Sequence, residues 1–169
     1  MGQLQGKVAL ITGSGRGQGL AAAKRFAAEE ARIVVNDLDP ASVKAAVDSI
    51  RAAGGEAVEA VGDVAVSTDV RRVLAVAKEQ YGGLDILYNN AGIGYSATKR
   101  FGVSMSDIVS CTEEDWRRIL DINIGGVFLF CLAKALHEEN YPERSGKIFH
   151  IVARILQRDL FYQMESQMH

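Results

Sequence analysis

Val8-Ala9-Leu10-Ile11-Thr12-Gly13-Ser14-Gly15-Arg16-Gly17-Gln18-Gly19 is the stretch around which this chain is organised. Four apolar residues run into a glycine-rich turn, and Leu20-Ala21-Ala22-Ala23 then opens a helical pattern. A buried strand, a glycine turn and a helix start, in that order, suit a dinucleotide pyrophosphate. The turn brings backbone N–H groups close to the phosphates, and the helix N-terminus adds its positive partial charge. Four glycines among the seven residues 13–19 remove the Cβ atoms that would keep such a ligand away. The spacing is not G-x-G-x-x-G, because Gln18 and Leu20 occupy the positions where the third glycine would fall. It is T-G-x-x-x-G-x-G, carried by Thr12, Gly13, Gly17 and Gly19.

Outward from this turn, strand and helix patterns alternate, which predicts a parallel sheet with helices on both faces. Strands are expected at 8–11, 32–36, 57–61, 84–88 and 147–152. Helices are expected at 20–31, at 41–53 behind Pro40, and from a Ser67 cap to Gly82-Gly83. A long helix capped by Thr112 runs through Trp116 and Phe128 to about residue 138, with acids at its positive end. Residues 93–111 form a long Gly-, Ser- and Thr-rich segment, the kind that carries function or moves.

Composition narrows the choices. The chain has 169 residues, 48% hydrophobic and 24% charged, with a net charge of −2, as expected of one ordinary globular domain. No basic stripe points to nucleic acid, and the apolar runs are too short for a membrane span. There is no signal-peptide pattern, and Gly6 breaks a myristoylation start. Cys111 and Cys131 form no C-x-x-C pair and read as reduced thiols of a cytoplasmic protein. His137, His150 and His169 share no metal-ligand spacing, so no metal is expected.

Three further stretches carry chemistry. Asp37 ends the second strand pattern 18 residues after Gly19, where a carboxylate accepts both ribose hydroxyls and repels a 2′-phosphate. Arg16 pulls toward NADP, since a guanidinium pairs with a 2′-phosphate, so NAD is preferred and NADP stays open. Asn89-Asn90-Ala91-Gly92 closes the fourth strand. Asn123 stands in mid-helix before Gly125 and Gly126, a locally unfavourable choice of the kind that marks function.

T-G-x-x-x-G-x-G, the Asp63-Val64 pair, N-N-A-G and Asn123 together resemble the short-chain dehydrogenase/reductase family, over about residues 7–151. The resemblance implies a Rossmann-like, doubly wound parallel α/β sheet of about five strands, order 3-2-1-4-5, incomplete relative to the family. It assigns cofactor binding to Thr12, Gly13, Ser14, Arg16, Gly17, Gln18 and Gly19, to Asp37 and Leu38, to Asp63 and Val64 at the adenine, and to Asn90, Ala91 and Gly92. Asn123 takes a catalytic role through a water that leads to the family's lysine. The implied reaction is hydride transfer between a nicotinamide and a small alcohol or ketone, in a homo-oligomer joined through the 112–138 helix.

The family's Ser, Tyr and Lys are not found in this chain. Ala153 stands at the serine position, and no Tyr-x-x-x-Lys follows the fifth strand. Tyr95 and Lys99 have that spacing but lie in the loop before the long helix. Residues 1–152 therefore read as an NAD(P)-binding domain and 153–169 as a divergent tail, with Leu156, Leu160 and Met164 at four-residue intervals. A natural short form and an altered or early-ended reading frame both account for this tail. The alternatives to an enzyme are a non-catalytic dinucleotide-binding module and a truncated, inactive form of such an enzyme.

Overall fold

The computed structural model describes residues 2–94, 111–140 and 147–150. Five parallel strands form one sheet in the order β3-β2-β1-β4-β5. These are β1 (Val8–Ile11), β2 (Arg32–Asp37), β3 (Glu56–Val61), β4 (Ile86–Asn89) and β5 (Lys147–His150). Helices α1 (Gly17–Ala28), α2 (Pro40–Ala52) and α3 (Ser67–Tyr81) connect the first four strands. Between β4 and β5 come α4 (Glu113–Leu120), a π-turn (Asp121–Gly125) and α5 (Gly126–Asn140).

Every residue of β1 is buried, because a central parallel strand is covered on both faces. Alternate side chains go to opposite layers. Ala9 and Ile11 join Ile33, Val35, Ala23 of α1 and Val43, Ala46, Val47 and Ile50 of α2. Val8 and Leu10 join Val34, Leu87, Val70, Val73 and Ala77 of α3, and Phe130 of α5. A third, smaller cluster of Ile93, Ile119 and Ile122 packs with Val64 and Ala65 at the carboxyl edge of the sheet.

β1 pairs with β2 on one side, Val8 opposite Arg32, and with β4 on the other, Ala9 opposite Ile86. The chain thus winds outward through β2 and β3, then returns across β1 to β4. The carboxyl ends of β1 and β4 flank that reversal, the place where open α/β sheets leave a crevice for ligands.

Local differences from the sequence reading have physical causes. α1 begins at Gly17 rather than Leu20, with extended Arg16 as its N-cap and Gly17 itself at a left-handed φ of 57°. Ser67 is the first residue of α3 and does not cap it; the cap is Val66, without a side-chain bond, and Asp69 in the first turn bonds the Asp63 N–H instead. Asp39 caps α2 by accepting from the Ala41 N–H at 3.2 Å, with Pro40 in the first turn. Thr112 caps α4 as expected, accepting from Asp115 at 3.1 Å. The long helix is interrupted at residues 121–125, where Asn123 and the glycines lie, and the backbone bond runs from Gly126 N–H to the Asp121 carbonyl. A one-turn π-bulge of this kind often marks a functional site. Among the described residues no helix is long and apolar enough to cross a membrane.

Leu10 is fully buried in the layer shared by α3 and α5. Truncation by Leu10→Ala should cost about 2–5 kcal/mol, read as a lower midpoint in urea unfolding with an unchanged slope.

Candidate dinucleotide-binding site

Thr12 leaves β1 with its N–H donating to the Tyr88 carbonyl at 3.1 Å, so the turn starts in register with β4. Gly13 then takes a left-handed φ of 63°, and a Cβ there would meet Ala91 Cα at 2.9 Å. Both facts exclude a side chain. Ser14 turns inward: it is buried, its hydroxyl donates to the Ile11 carbonyl at 2.6 Å, and it accepts from the Asn36 N–H at 3.2 Å. Its contribution to the site is therefore the shape of the turn. Gly15 lies against Asp37, whose Oδ2 accepts the Gly15 N–H at 3.2 Å. A Cβ on Gly15 would stand 2.9 Å from that same oxygen.

Arg16, Gly17 and Gln18 are exposed at the start of α1. The first turn of that helix contains no acidic residue, so no carboxylate competes with an incoming anion for its N–H groups. A Cβ on Gly17 would meet nothing within 4 Å, which makes this an open rim. Gly19 is the opposite case: a Cβ would stand 2.3 Å from the Gly13 carbonyl oxygen and 2.6 Å from Asn90 Nδ2.

The N-N-A-G stretch closes the turn from the β4 side. Thr12 Oγ1 accepts from the backbone N–H groups of Asn90 and Ala91, each at 3.0 Å. Asn90 Nδ2 donates to the carbonyls of Thr12 at 2.9 Å and Gly13 at 3.2 Å. Asn90 therefore acts on the glycine turn itself, and exposed Gly92 lies beyond it on the rim. Asn89 is buried and bonds Cys131 Sγ at 3.8 Å. Burial pushes the Cys131 thiol up, which disfavours its thiolate.

Asp37 also accepts from the Leu38 N–H at 2.8 Å, so its carboxylate is held at both oxygens on the edge of the crevice. Leu38 beside it is 44% exposed, an apolar surface next to that carboxylate. On the far side of the edge, Asp63 Oδ1 accepts from the Ala65 N–H at 2.9 Å, and Oδ2 accepts from Arg118 at 2.7 Å. The Asp63 N–H donates to Asp69. That bond and the Arg72 guanidinium hold the Asp69 carboxyl below the usual carboxylate range. Val64 packs where Gly126 leaves room: a Cβ on Gly126 would lie 3.0 Å from Val64 Cγ2.

Asn123 spends its side chain on one residue. Its Oδ1 accepts from the Ile93 N–H at 2.8 Å, and its Nδ2 donates to the Ile93 carbonyl at 2.9 Å. A ladder-like pair thus ties the π-turn to the segment leaving β4. Arg118 and Ile93 escaped the sequence reading. Arg118 reads as one surface charge of an amphipathic helix, and Ile93 contributes through its backbone. Tyr95, Lys99, Ala153 and the tail lie outside the described residues.

The donor set fits a dinucleotide: a helix N-terminus free of acids, a turn with glycine at every second position from 13 to 19, and a positioned carboxylate 18 residues on. Replacement of Gly19 by alanine must displace the Gly13 carbonyl or the Asn90 amide. Gly19→Ala should abolish detectable dinucleotide binding by calorimetry, while far-ultraviolet circular dichroism still reports a folded sheet.

Comparison with known proteins gives a consistent answer. A family described as short chain dehydrogenase matches residues 7–156. The chain is 38% identical to an uncharacterised oxidoreductase of Methylorubrum extorquens, over 81% of this chain and 52% of that protein. It is 35% identical to glucose 1-dehydrogenase 2 of Bacillus subtilis, over 79% of this chain and 49% of that protein. Among solved structures, a metagenomic short-chain oxidoreductase in complex with NADP superposes with a TM-score of 0.72 at 28% identity, over 87% of this chain and 62% of that one. The chain spans about half the length of the curated relatives it matches.

Proposed function

We propose that this chain, which belongs to the short-chain dehydrogenase family, supplies the nucleotide-binding half of an NAD-preferring oxidoreductase acting on an alcohol or ketone. Residues 1–152 form the binding unit in this reading, in a cytoplasmic protein. A bound nicotinamide dinucleotide supplies the hydride donor or acceptor. The residues described here bind and orient it. The α1 N-terminus and the Gly13–Gly19 turn take the pyrophosphate, Asp37 takes the adenosine ribose, and Leu38, Asp63 and Val64 border the adenine. Asn90, Ala91 and Gly92 hold the turn and its rim. The described residues contribute cofactor binding and the positioning exerted by Asn123.

The single observation that carries this reading is the double hold on Asp37, through the Gly15 and Leu38 N–H groups. A carboxylate fixed there receives two ribose hydroxyls, and it repels the 2′-phosphate of NADP. Arg16 is exposed on the same turn, and its guanidinium keeps weaker NADP binding within reach. For Asn123, one oxygen lone-pair site and one hydrogen of the side-chain amide are committed to Ile93.

Assembly belongs to the same proposal. Ile124, Phe128 and Leu132 stand four residues apart and are 52%, 61% and 45% exposed, an apolar stripe along one face of the π-turn and α5. Such a stripe fits a second copy of the chain.

Calorimetric titration of the chain with NAD⁺ and NADP⁺ tests the cofactor reading. Saturable binding, tighter for NAD⁺, is expected. Asp37→Ala should weaken NAD⁺ binding by roughly tenfold or more, as for the loss of charge-assisted hydrogen bonds, and should narrow its lead over NADP⁺. A folded chain that binds neither dinucleotide overturns the reading. For assembly, Phe128→Glu should shift the sedimentation coefficient to that of a monomer; a wild-type chain that is already monomeric at high concentration refutes it.

A further inference from the structure

Arg118 crosses from α4 to the turn after β3, and its guanidinium lies 2.7 Å from Asp63 Oδ2. The pair is partly buried, with 35% of the Arg118 side chain and 16% of the Asp63 side chain exposed. This is a tie between elements 55 residues apart in sequence, unlike the described i,i+3 and i,i+4 pairs within single helices. The opposite Asp63 oxygen accepts from the Ala65 N–H at 2.9 Å, so neither carboxylate oxygen is left to swing. The backbone around it is equally held, by Asp69 on the Asp63 N–H and by Val64 seated against Gly126.

We infer that Arg118 is a positioning residue that makes Asp63 selective for an exocyclic amino group on the nucleotide base. The inference rests on the nucleotide-binding reading above. A carboxylate is an acceptor only, and each oxygen has a second lone-pair site beside the bond it already makes. Clamped at both ends, Asp63 meets a 6-aminopurine with an acceptor opposite its N–H donor. A 6-oxopurine puts a carbonyl oxygen at that place, acceptor against acceptor. It also carries a ring N–H next to the carbonyl, and a carboxylate free to pivot would move to it and recover a bond. The Arg118 clamp denies that pivot. Discrimination then comes from the fixed geometry, since a site built around a hydrogen bond rejects the analogue that leaves a buried partner unmatched.

Arg118 also stands five residues before Asn123 on the same helical stretch, with Ile119 and Ile122 packed against Val64, Ala65 and Ile93 between them. The clamp on the base and the tie to Ile93 therefore share one rigid support.

The test is calorimetric binding of NAD⁺ and of its hypoxanthine analogue to the wild-type chain and to Arg118→Met and Arg118→Gln. Wild type should prefer NAD⁺ by roughly tenfold. In either uncharged variant that gives a native circular dichroism spectrum, the preference should fall at least about threefold, chiefly because the hypoxanthine form binds better. A merely structural role would weaken both ligands together and leave the ratio unchanged, which overturns the inference. A wild-type chain that binds both dinucleotides equally also overturns it, with the cofactor reading intact. A folded wild-type chain that binds neither overturns the cofactor reading itself.

Discussion

A glycine-rich turn has few side chains to brace its own backbone, so something behind it must hold that shape. Here Thr12 and Asn90 do so. The threonine hydroxyl receives two N–H groups from the end of β4, and the asparagine amide gives two hydrogens to the carbonyls at the start of the turn. Gly13 and Gly19 are bare because this mutual approach leaves no volume for a Cβ. Ser14 and Asn36 finish the support from the β2 side. On the inward side the Thr12 and Gly13 carbonyls and the Ser14 N–H are thereby bonded.

The same logic extends along the sheet edge. Three acidic residues at strand ends, Asp37, Asp63 and Asp85, each accept from a nearby backbone N–H. Asp85 lies at the other end of the sheet, where it ties the start of β4 to β1 and pairs with Lys7. Asp37 and Asp63 lie at the carboxyl edge, where the proposed reading gives them the ribose and the base. Position relative to the reversal of strand order, and not residue type, separates the structural acid from the two candidate ligands.

Much of this was legible in the chain. The buried run Val8–Ile11 and the alternation of strand and helix patterns mark the parallel sheet, and the family resemblance supplies its order. Thr12, Gly13, Gly19 and Asn90 were marked by spacing, and Asn123 by breaking helical preference. What escaped is what depends on tertiary approach. That Ser14 points inward follows from Asn36, 22 residues away. Gly126 as a seat for Val64 follows from how the long helix crosses the sheet edge. Arg118 looks like any solvated arginine until β3 and α4 are set side by side. Local rules locate the turn, and only packing shows which polar groups are already occupied.

The bond between Thr12 and Asn90 spans 78 residues. On a ribosome adding about 5–20 residues each second, the glycine turn waits several seconds before the segment that closes it is even made. Until then β1 can pair only with β2, and one side of it is an open edge. The nascent front of the protein thus passes through a period with a glycine turn that is held from the β2 side alone. Its final shape arrives late and all at once, when β4 docks.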